Sequence, residues 1–275
     1  RYHHVNDCII IRCNVEIVTK RNRRMKENYY YLEQTSEIAS NKNALLQADW
    51  QRFCQLLCYE GIEIKQNNDE KRQNKAVICR VKMKGEYSST LFMQILGEGE
   101  LQLTLEQFSQ PSGLEHFLTQ FFALIDYQQQ VNAKLSKKAL IQFHSRYKYL
   151  LMAYSQVAYR ELGRYMANIP NSLPLLQFAE QYQKALMKAL SIPATREGHT
   201  NALMHMAGYF KRALSAEQKQ LLTQEILSYR QGKTSLSAPL SRLKNYLAFY
   251  PDNYLLSQRY FSPYPAVFDD LRAQF

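Results

Sequence analysis

The sequence lacks the features that define several broad classes of protein. Its 275 residues include only nine glycines and eight prolines, which excludes a collagen-like or low-complexity chain. Apolar runs are short, since residues 121–125 form one of the longest and Arg12 interrupts the run at residues 8–18. A membrane span needs about 20 apolar residues. The first residues show no basic-then-apolar signal layout. We therefore expect a soluble cytoplasmic protein that does not associate with a membrane.

Signatures of metal sites are also missing. The cysteines form no CxxC pair, and no cysteine–histidine set has zinc-finger spacing. Cys54 and Cys58 are four residues apart, on one face of a helix. We interpret the cysteines as reduced, mostly buried thiols and expect no metal and no cofactor, with a metal or cluster site as the alternative. The five cysteines are Cys8, Cys13, Cys54, Cys58 and Cys79.

Complete catalytic motifs are absent as well. The chain has no GxSxG elbow, no phosphate-binding loop and no HExxH pair. The second half is poor in acidic residues, which disfavours a two-carboxylate mechanism or a hard-metal site there. His144, His199 and His205 are its candidate acid–base groups. The sequence leaves open whether the chain is an enzyme, and the lack of a motif disfavours catalysis.

The positive charge is confined to one half of the chain. The net charge is +11, but residues 1–130 contain 16 basic and 16 acidic residues. Residues 131–275 contain 19 basic and 8 acidic residues. This shift predicts a boundary between a domain at 1–130 and a basic domain at 131–275. A basic domain favours a polyanionic partner, most of all nucleic acid, and a merely solvated basic surface is the alternative.

The first half has the pattern of a small α+β accessory domain. Residues 44–60 have helical periodicity and end at Gly61. Strand-like runs at 76–83, 89–96 and 100–108 predict a short antiparallel meander, and residues 8–18 predict a further strand. The basic run at 20–24 is either solvated or an anion-binding arm, and Met25 after it is a candidate natural start.

The second half is predicted to be a mainly α-helical domain. Pro-containing turns and Gly232 separate its apolar-periodic segments, and Ser215 with Gln218 forms a capping-box pattern. A helix predicted at 114–129 precedes this half, and the predicted helices within it cover residues 137–154, 156–168, 173–190, 198–214, 216–230, 238–249 and 253–260.

Candidate binding residues concentrate around the helix predicted at 198–214. Asn201, His205, Gly208 and Arg212 share one face, and the glycine suggests a close approach by a phosphate, a base or another helix. A solvated face is the alternative. The helix start, with Arg196 beside it, is suited to an anion. The predicted binding face comprises Lys148, Arg164, Arg196, His199, Asn201, His205, Arg212 and Arg230.

Tyrosines are abundant in the same half. It holds 13 of the 20 tyrosines, interleaved with Lys and Arg. Such rings stack on unpaired bases in many complexes with single-stranded RNA. The alternative is that they are half-buried core residues.

The second half resembles the YbgA-type domain of unknown function over residues 136–275. The matching blocks follow one another in unbroken order. They are His144, Lys148, Tyr149, Leu150, Leu151, Met152, Ala153 and Ser155; Tyr159, Leu162, Gly163 and Arg164; Ala194, Thr195, Arg196, His199, Thr200 and Asn201; His205, Gly208, Tyr209, Phe210 and Lys211; Tyr229, Arg230 and Gly232; Pro239 and Leu240; Tyr250, Pro251, Asp252 and Tyr254; and Tyr260, Pro263 and Pro265.

The resemblance implies a role with RNA. The same domain occurs at the C-terminus of bacterial desulfidases that convert 4-thiouridine in tRNA to uridine. There an N-terminal domain with a cysteine-bound [4Fe-4S] cluster does the chemistry, and the YbgA-type domain is assigned tRNA binding. This chain departs from that pattern because residues 1–130 lack the cluster-binding motifs. It also has Tyr154 where the family usually has His. Desulfidase activity is therefore not carried over.

These observations lead to three expectations. The main one is tRNA binding by the basic helical domain, accessory to thiolation or desulfuration chemistry done by a desulfidase or another RNA-modifying partner. The second is an enzyme whose histidine-lined pocket acts on a small anionic or nucleotide substrate. The third is an adaptor whose basic face meets an acidic protein.

Overall fold

The structure is a computed structural model. It describes residues 29–34, 44–60, 62, 64–66, 77–84, 101–170 and 173–269. Four predicted features lie outside these residues: the strand at 8–18, the basic run at 20–24, the candidate start Met25 and the strand at 89–96.

The described residues up to Thr104 combine one long helix with short strands. The helix α1 covers Ala44–Tyr59. The strands are β1 (Tyr29–Gln34), β2 (Ile64–Gln66), β3 (Val77–Lys84) and β4 (Gln102–Thr104). β1 pairs in parallel with β2 and antiparallel with β3, which pairs antiparallel with β4.

This arrangement does not support the predicted three-strand meander. β3 coincides with the run predicted at 76–83, but the run predicted at 100–108 is a strand only up to Thr104. There the helix α2, Leu105–Ser109, begins with a capping box, because Thr104 Oγ1 accepts from the Gln107 amide and Gln107 Oε1 accepts from the Thr104 amide. Because this capping box stabilises the start of a helix, residues 105–108 are helical although their sequence pattern predicts a strand.

The predicted mainly α-helical character of the second half is confirmed. Ser136, Ser155, Thr195 and Ser215 each start a helix by accepting a hydrogen bond from an amide three residues later. The first half ends with α3 (Pro111–Gln130). The helices of the second half are α4 (Lys137–Tyr154), α5 (Gln156–Ala167), α6 (Leu175–Leu190), α7 (Arg196–Ala207), α8 (Ala216–Arg230), α9 (Ser237–Phe249) and α10 (Asn253–Leu256). Short 3₁₀ turns cover Asn132–Lys134, Gly208–Phe210 and Ala266–Phe268.

The described residues bury two apolar clusters, and α3 belongs to both. Tyr127 of α3 lies in the larger cluster, which is built mostly from α4 to α10. Phe117 and Phe121 of the same helix lie in the smaller cluster with Trp50 of α1 and Phe268. The boundary between residues 130 and 131 stays a prediction, and the packing of α3 extends to both sides of it.

The carboxylate of Asp126 joins three distant parts of the chain. Arg259 donates two hydrogen bonds to it, from Nε to Oδ2 at 2.8 Å and from Nη2 to Oδ1 at 2.7 Å. Tyr147 of α4 donates to Oδ2 at 3.0 Å, and Arg146 lies 3.9 Å away. The carboxylate is buried, so these donors compensate the cost of removing its charge from water. The network fixes α3, α4 and the segment after α10 together.

The start of α7 packs against the end of α4 at Gly198. A Cβ atom there would lie 2.0 Å from the carbonyl oxygen of Ala153, so only glycine fits. Gly208 differs, because a Cβ there meets no described atom within 4 Å. The helix predicted at 198–214 is therefore wrong in its extent: it ends at Ala207, and Gly208 begins a 3₁₀ turn. No described helix approaches Gly208 closely, and the close helix contact lies at Gly198.

His144 links α4 to α6 in the interior. Its Nδ1 atom lies 3.0 Å from the hydroxyl of the buried Tyr182. Burial lowers the pKa of His144 to about 4. The neutral ring shares this hydrogen bond with the Tyr182 hydroxyl, so His144 is a packing residue at neutral pH.

Gly198→Ala is expected to reduce the free energy of unfolding by about 2–3 kcal/mol, since the new methyl group overlaps the Ala153 carbonyl. Gly208→Ala is the matched control, because its backbone φ is −58° and the site is open. We expect that variant to be unchanged or more stable by up to about 1 kcal/mol. Urea unfolding followed by circular dichroism compares them, and equal stability of the two variants would contradict the packing.

His144→Gln is expected to reduce the pH dependence of stability. The folded-state pKa of about 4 lies below the ordinary value of 6.5. The stabilisation is therefore complete above pH 6.5 and is lost as the pH falls towards 4. At pH 4.5 the loss from this residue is about 2–3 kcal/mol. Glutamine keeps a hydrogen-bond acceptor for Tyr182 but does not titrate.

Urea unfolding of both proteins at pH 7.5 and pH 4.5 measures this effect. The value at pH 7.5 gives the cost of the substitution itself, and the difference between the two pH values gives the histidine contribution. The same loss in wild type and His144→Gln would show that another group causes the pH dependence.

Candidate functional site

Four helix ends surround an open cleft of about 610 Å³. Its walls come from the end of α4, the first turns of α5 and α7, and the end of α8. Polar atoms are provided by Gln156, Arg160, Asn201 and Arg230, and apolar contact surface by Met152, Met204 and Leu227. We call this site the interhelical cleft.

Local sequence explains why two helices begin at the cleft. Ser155 caps α5 and Thr195 caps α7, and each hydroxyl accepts an amide hydrogen bond of about 3 Å. The first amides of a helix have no intrahelical acceptor, and a helix N-terminus carries roughly half a positive charge. Because Gly198 lets α7 approach Ala153, both N-termini lie at the same site.

Two arginines add full charges to the cleft walls. Arg160 lies on α5 and Arg230 ends α8. Glu197 reduces this charge, since its carboxylate lies 3.5 Å from the guanidinium of Arg230 and also lines the cleft. Both side chains of that pair are exposed, so the pair is weak and open to competition by another anion. The cleft favours an anionic ligand.

Hydrogen bonds between and within helices fix residues that line the cleft. Asn201 of α7 donates through Nδ2 to Oε1 of Gln156 on α5 at 2.7 Å. Thr200 donates to the carbonyl oxygen of Arg196 within α7. Together with the two methionines, this surface suits a ligand that has both an anionic group and a flat apolar part.

A smaller cavity of about 110 Å³ lies behind the cleft, and Tyr154 lines both. His116, Arg196, His199 and Tyr229 are among its other lining residues. We call it the inner cavity. Its volume corresponds to about four water molecules, far less than a nucleotide needs.

His116 has a defined protonation state in the inner cavity. Its Nε2 atom lies 3.3 Å from the carbonyl oxygen of Ser191, which only accepts, so Nε2 carries the proton. Nδ1 then accepts from the hydroxyl of Tyr154 at 3.4 Å. Burial lowers the pKa of His116, and the hydrogen bond to Ser191 opposes this in part. The result is a neutral histidine that accepts a hydrogen bond from a tyrosine.

Arg196 and His199, two predicted binding residues, are engaged within the protein. Arg196 Nη1 donates to the carbonyl oxygens of Tyr229 at 3.0 Å and Thr234 at 3.4 Å. Its guanidinium also lies 4.9 Å from the centre of the Tyr229 ring. His199 is buried, with Nδ1 2.9 Å from the Tyr260 hydroxyl. Both line the inner cavity rather than the cleft.

The other predicted binding residues are spread over three places. Asn201 and Arg230 lie in the interhelical cleft. Lys148 rests against tyrosine rings. Exposed positions outside both cavities hold Arg164, His205 and Arg212.

The structure does not gather the face predicted from residue 201 to residue 212, since α7 ends at Ala207. The predicted trio of His144, His199 and His205 does not share a cavity either. His144 contacts Tyr182, whereas His205 is exposed.

Sequence reasoning missed Arg160, Gln156 and the pairing of His116 with Tyr154. Arg160 had a signal, because it precedes the selected Arg164 by one helical turn on α5. His116 had none, because it is 38 residues from Tyr154 and lies in the half assigned to an accessory domain.

Cys54 and Cys58, the cysteines whose side chains the structure describes, form no disulfide. Cys54 is buried, and burial together with Cys58 raises its pKa to about 12, so it remains a thiol. Within the described ranges no three His, Cys, Asp or Glu side chains come together as metal ligands. No described helix is both long and apolar enough to cross a membrane.

Comparison with known proteins locates the similarity in the helical half. The family model described as "Protein of unknown function (DUF1722)" matches residues 148–265, which include every lining residue of the interhelical cleft. The chain is 41% identical over 150 residues to the "Uncharacterized protein YbgA" of Escherichia coli (strain K12), covering 54% of this chain and 89% of that protein. No solved structure matches. The chain therefore belongs to the YbgA-type family of proteins of unknown function.

Proposed function

We propose that the helical half binds RNA and that the interhelical cleft holds one phosphate-bearing nucleotide of it. The observation that carries the proposal is the convergence of two helix N-termini with Arg160 and Arg230 on one cleft. The volume of about 610 Å³ lies in the range of sites for ligands of nucleotide size. The apolar side chains in the cleft offer contact to a base or a ribose.

The distribution of ion pairs supports a polyanionic partner. In the described part of the chain, Asp126 forms ion pairs with both Arg259 and Arg146, and Glu225 forms one with Arg242. No described ion pair involves Arg160 or Arg164, which lie one turn apart on α5 and are exposed. Exposed cations without a carboxylate partner give up few contacts when they bind phosphates.

The family resemblance makes tRNA the first RNA to test. On the same ground we propose a role accessory to thiolation or desulfuration of tRNA, with the chemistry done by a desulfidase or another RNA-modifying partner. The proposed location is the cytoplasm, where that RNA is found.

A second candidate function is catalysis on the ligand of the cleft. It is favoured by Tyr154, whose hydroxyl donates to His116 while the Ser191 carbonyl orients the histidine. A hydroxyl, a base and an orienting acceptor in series are the usual arrangement for activating a nucleophile. Catalysis requires that incubation with tRNA change a nucleoside and that Tyr154→Phe stop the change while tRNA still binds. Binding alone leaves every nucleoside intact.

Arg160→Ala is expected to weaken tRNA binding several-fold and to lower the slope of log affinity against log salt by about one, because one phosphate contact is lost. Binding of purified bulk tRNA across a salt series measures both quantities. Lys244→Ala is the matched control, since it removes the same charge from an exposed site on α9 outside the cleft. Equal losses in the two variants would mean that charge alone, and not the cleft, attracts the RNA. Arg196→Ala is unsuited to this test because it removes the contacts of Arg196 with the end of α8.

A further inference from the structure

Five side chains from four separate elements lie close together near the interhelical cleft. They are Lys148 and Tyr149 of α4, Tyr159 of α5, Tyr209 of the 3₁₀ turn after α7, and Tyr254 of α10. We call this group the tyrosine–lysine cluster.

The rings of the cluster are ordered by mutual contacts. Tyr209 stacks on Tyr254 with ring centres 6.0 Å apart and an angle of 20° between the planes. Tyr149 meets both rings edge-on, each at 6.4 Å. These contacts hold the Tyr209 ring in one orientation before any ligand arrives.

Lys148 places a positive charge on these rings. Its Nζ atom lies 5.1 Å from the ring centre of Tyr149 and 5.8 Å from that of Tyr254, which are cation–π distances. No ion pair of the described residues includes Lys148. The rings therefore position the ammonium group without neutralising it, and it remains able to bind a phosphate.

Exposure within the cluster is graded. Tyr149 is 1% exposed, and Tyr159 and Tyr254 are half-buried. Tyr209 is 42% exposed although it is a large aromatic residue. One exposed ring is thus supported by one buried and two half-buried rings, which is the form of a stacking platform for a base.

The cluster adjoins the cleft along two helices. Lys148 lies one turn before Met152 on α4, so both side chains project from the same face of that helix. Tyr159 directly precedes Arg160 on α5. Met152 and Arg160 line the cleft. This placement on the same two helices is the ground for treating the cleft and the cluster as sites for neighbouring nucleotides.

We propose that the tyrosine–lysine cluster binds an unpaired nucleotide of RNA, with its base stacked on Tyr209 and a phosphate next to Lys148. This inference rests on the proposed function, since the nucleotide in the cleft and the nucleotide on the cluster are neighbours in one strand. The preferred ligand is single-stranded, because a paired base is already stacked inside its helix and its face is not available to Tyr209.

Binding of a fluorescent single-stranded oligouridylate, with a blunt RNA duplex of equal length as the comparison, tests the inference. We expect the wild-type protein to prefer the single strand. Tyr209→Ala is expected to weaken oligouridylate binding by roughly 5- to 100-fold, the usual effect of losing one stacked base. Tyr209→Phe is the matched control and keeps wild-type affinity because the ring remains. Thermal melts of the exposed Tyr209 variants check that both fold.

The outcomes separate this inference from the proposed function. If Tyr209→Ala binds oligouridylate as the wild type does, or if the duplex is preferred, the cluster is not a base platform and the inference is overturned. In that case, weaker tRNA binding by Arg160→Ala with unchanged binding by Lys244→Ala still supports the proposed function. If the wild type binds no RNA, the proposed function fails and the inference fails with it.

Discussion

The fold depends on one buried carboxylate, that of Asp126. It lies on α3, the helix shared by both apolar clusters, and it is contacted from α4 and from the segment after α10. A buried charge is tolerated only when its donors are all in place. The network therefore makes the position of α4 dependent on α3 and on residues near the C-terminal end of the described chain. Because the end of α4 forms one wall of the interhelical cleft, the geometry of the cleft depends on this distant network.

Local signals in the sequence were sufficient for most helices of the second half. Ser136, Ser155 and Ser215 precede apolar-periodic segments, and the helices begin after them. The helix predicted at 114–129 begins earlier, at Pro111. A proline is compatible with the first position of a helix, so it did not mark a break before α3. The α+β pattern of the first half was less informative. The pairing of β1 with β2 and β3 joins segments far apart in sequence, which periodicity cannot reveal.

The candidate site was only partly predictable, and for a similar reason. Asn201 and Arg230 could be selected from helix faces, but composition does not show which cations the protein uses for itself. Arg196 donates a hydrogen bond to the Tyr229 carbonyl oxygen near the end of α8, and Arg259 neutralises Asp126. The net charge of a segment is thus an upper limit on the charge that its surface has available to bind a partner. Conversely, Tyr154 is a candidate catalytic residue because of its hydrogen bond with His116. The two residues are far apart in sequence, and the packing of α3 against α4 brings them together.

The position of the single tryptophan has a practical consequence. Trp50 is buried in the smaller cluster, where it contacts Phe53 and Phe108, whereas the larger cluster contains tyrosine and phenylalanine but no tryptophan. Tryptophan emission therefore reports on one cluster, and far-ultraviolet ellipticity reports mainly on the helices around the other. Coincident denaturation curves from these two optical signals would identify a single cooperative unit, with α3 as its shared helix. Separate curves would identify two.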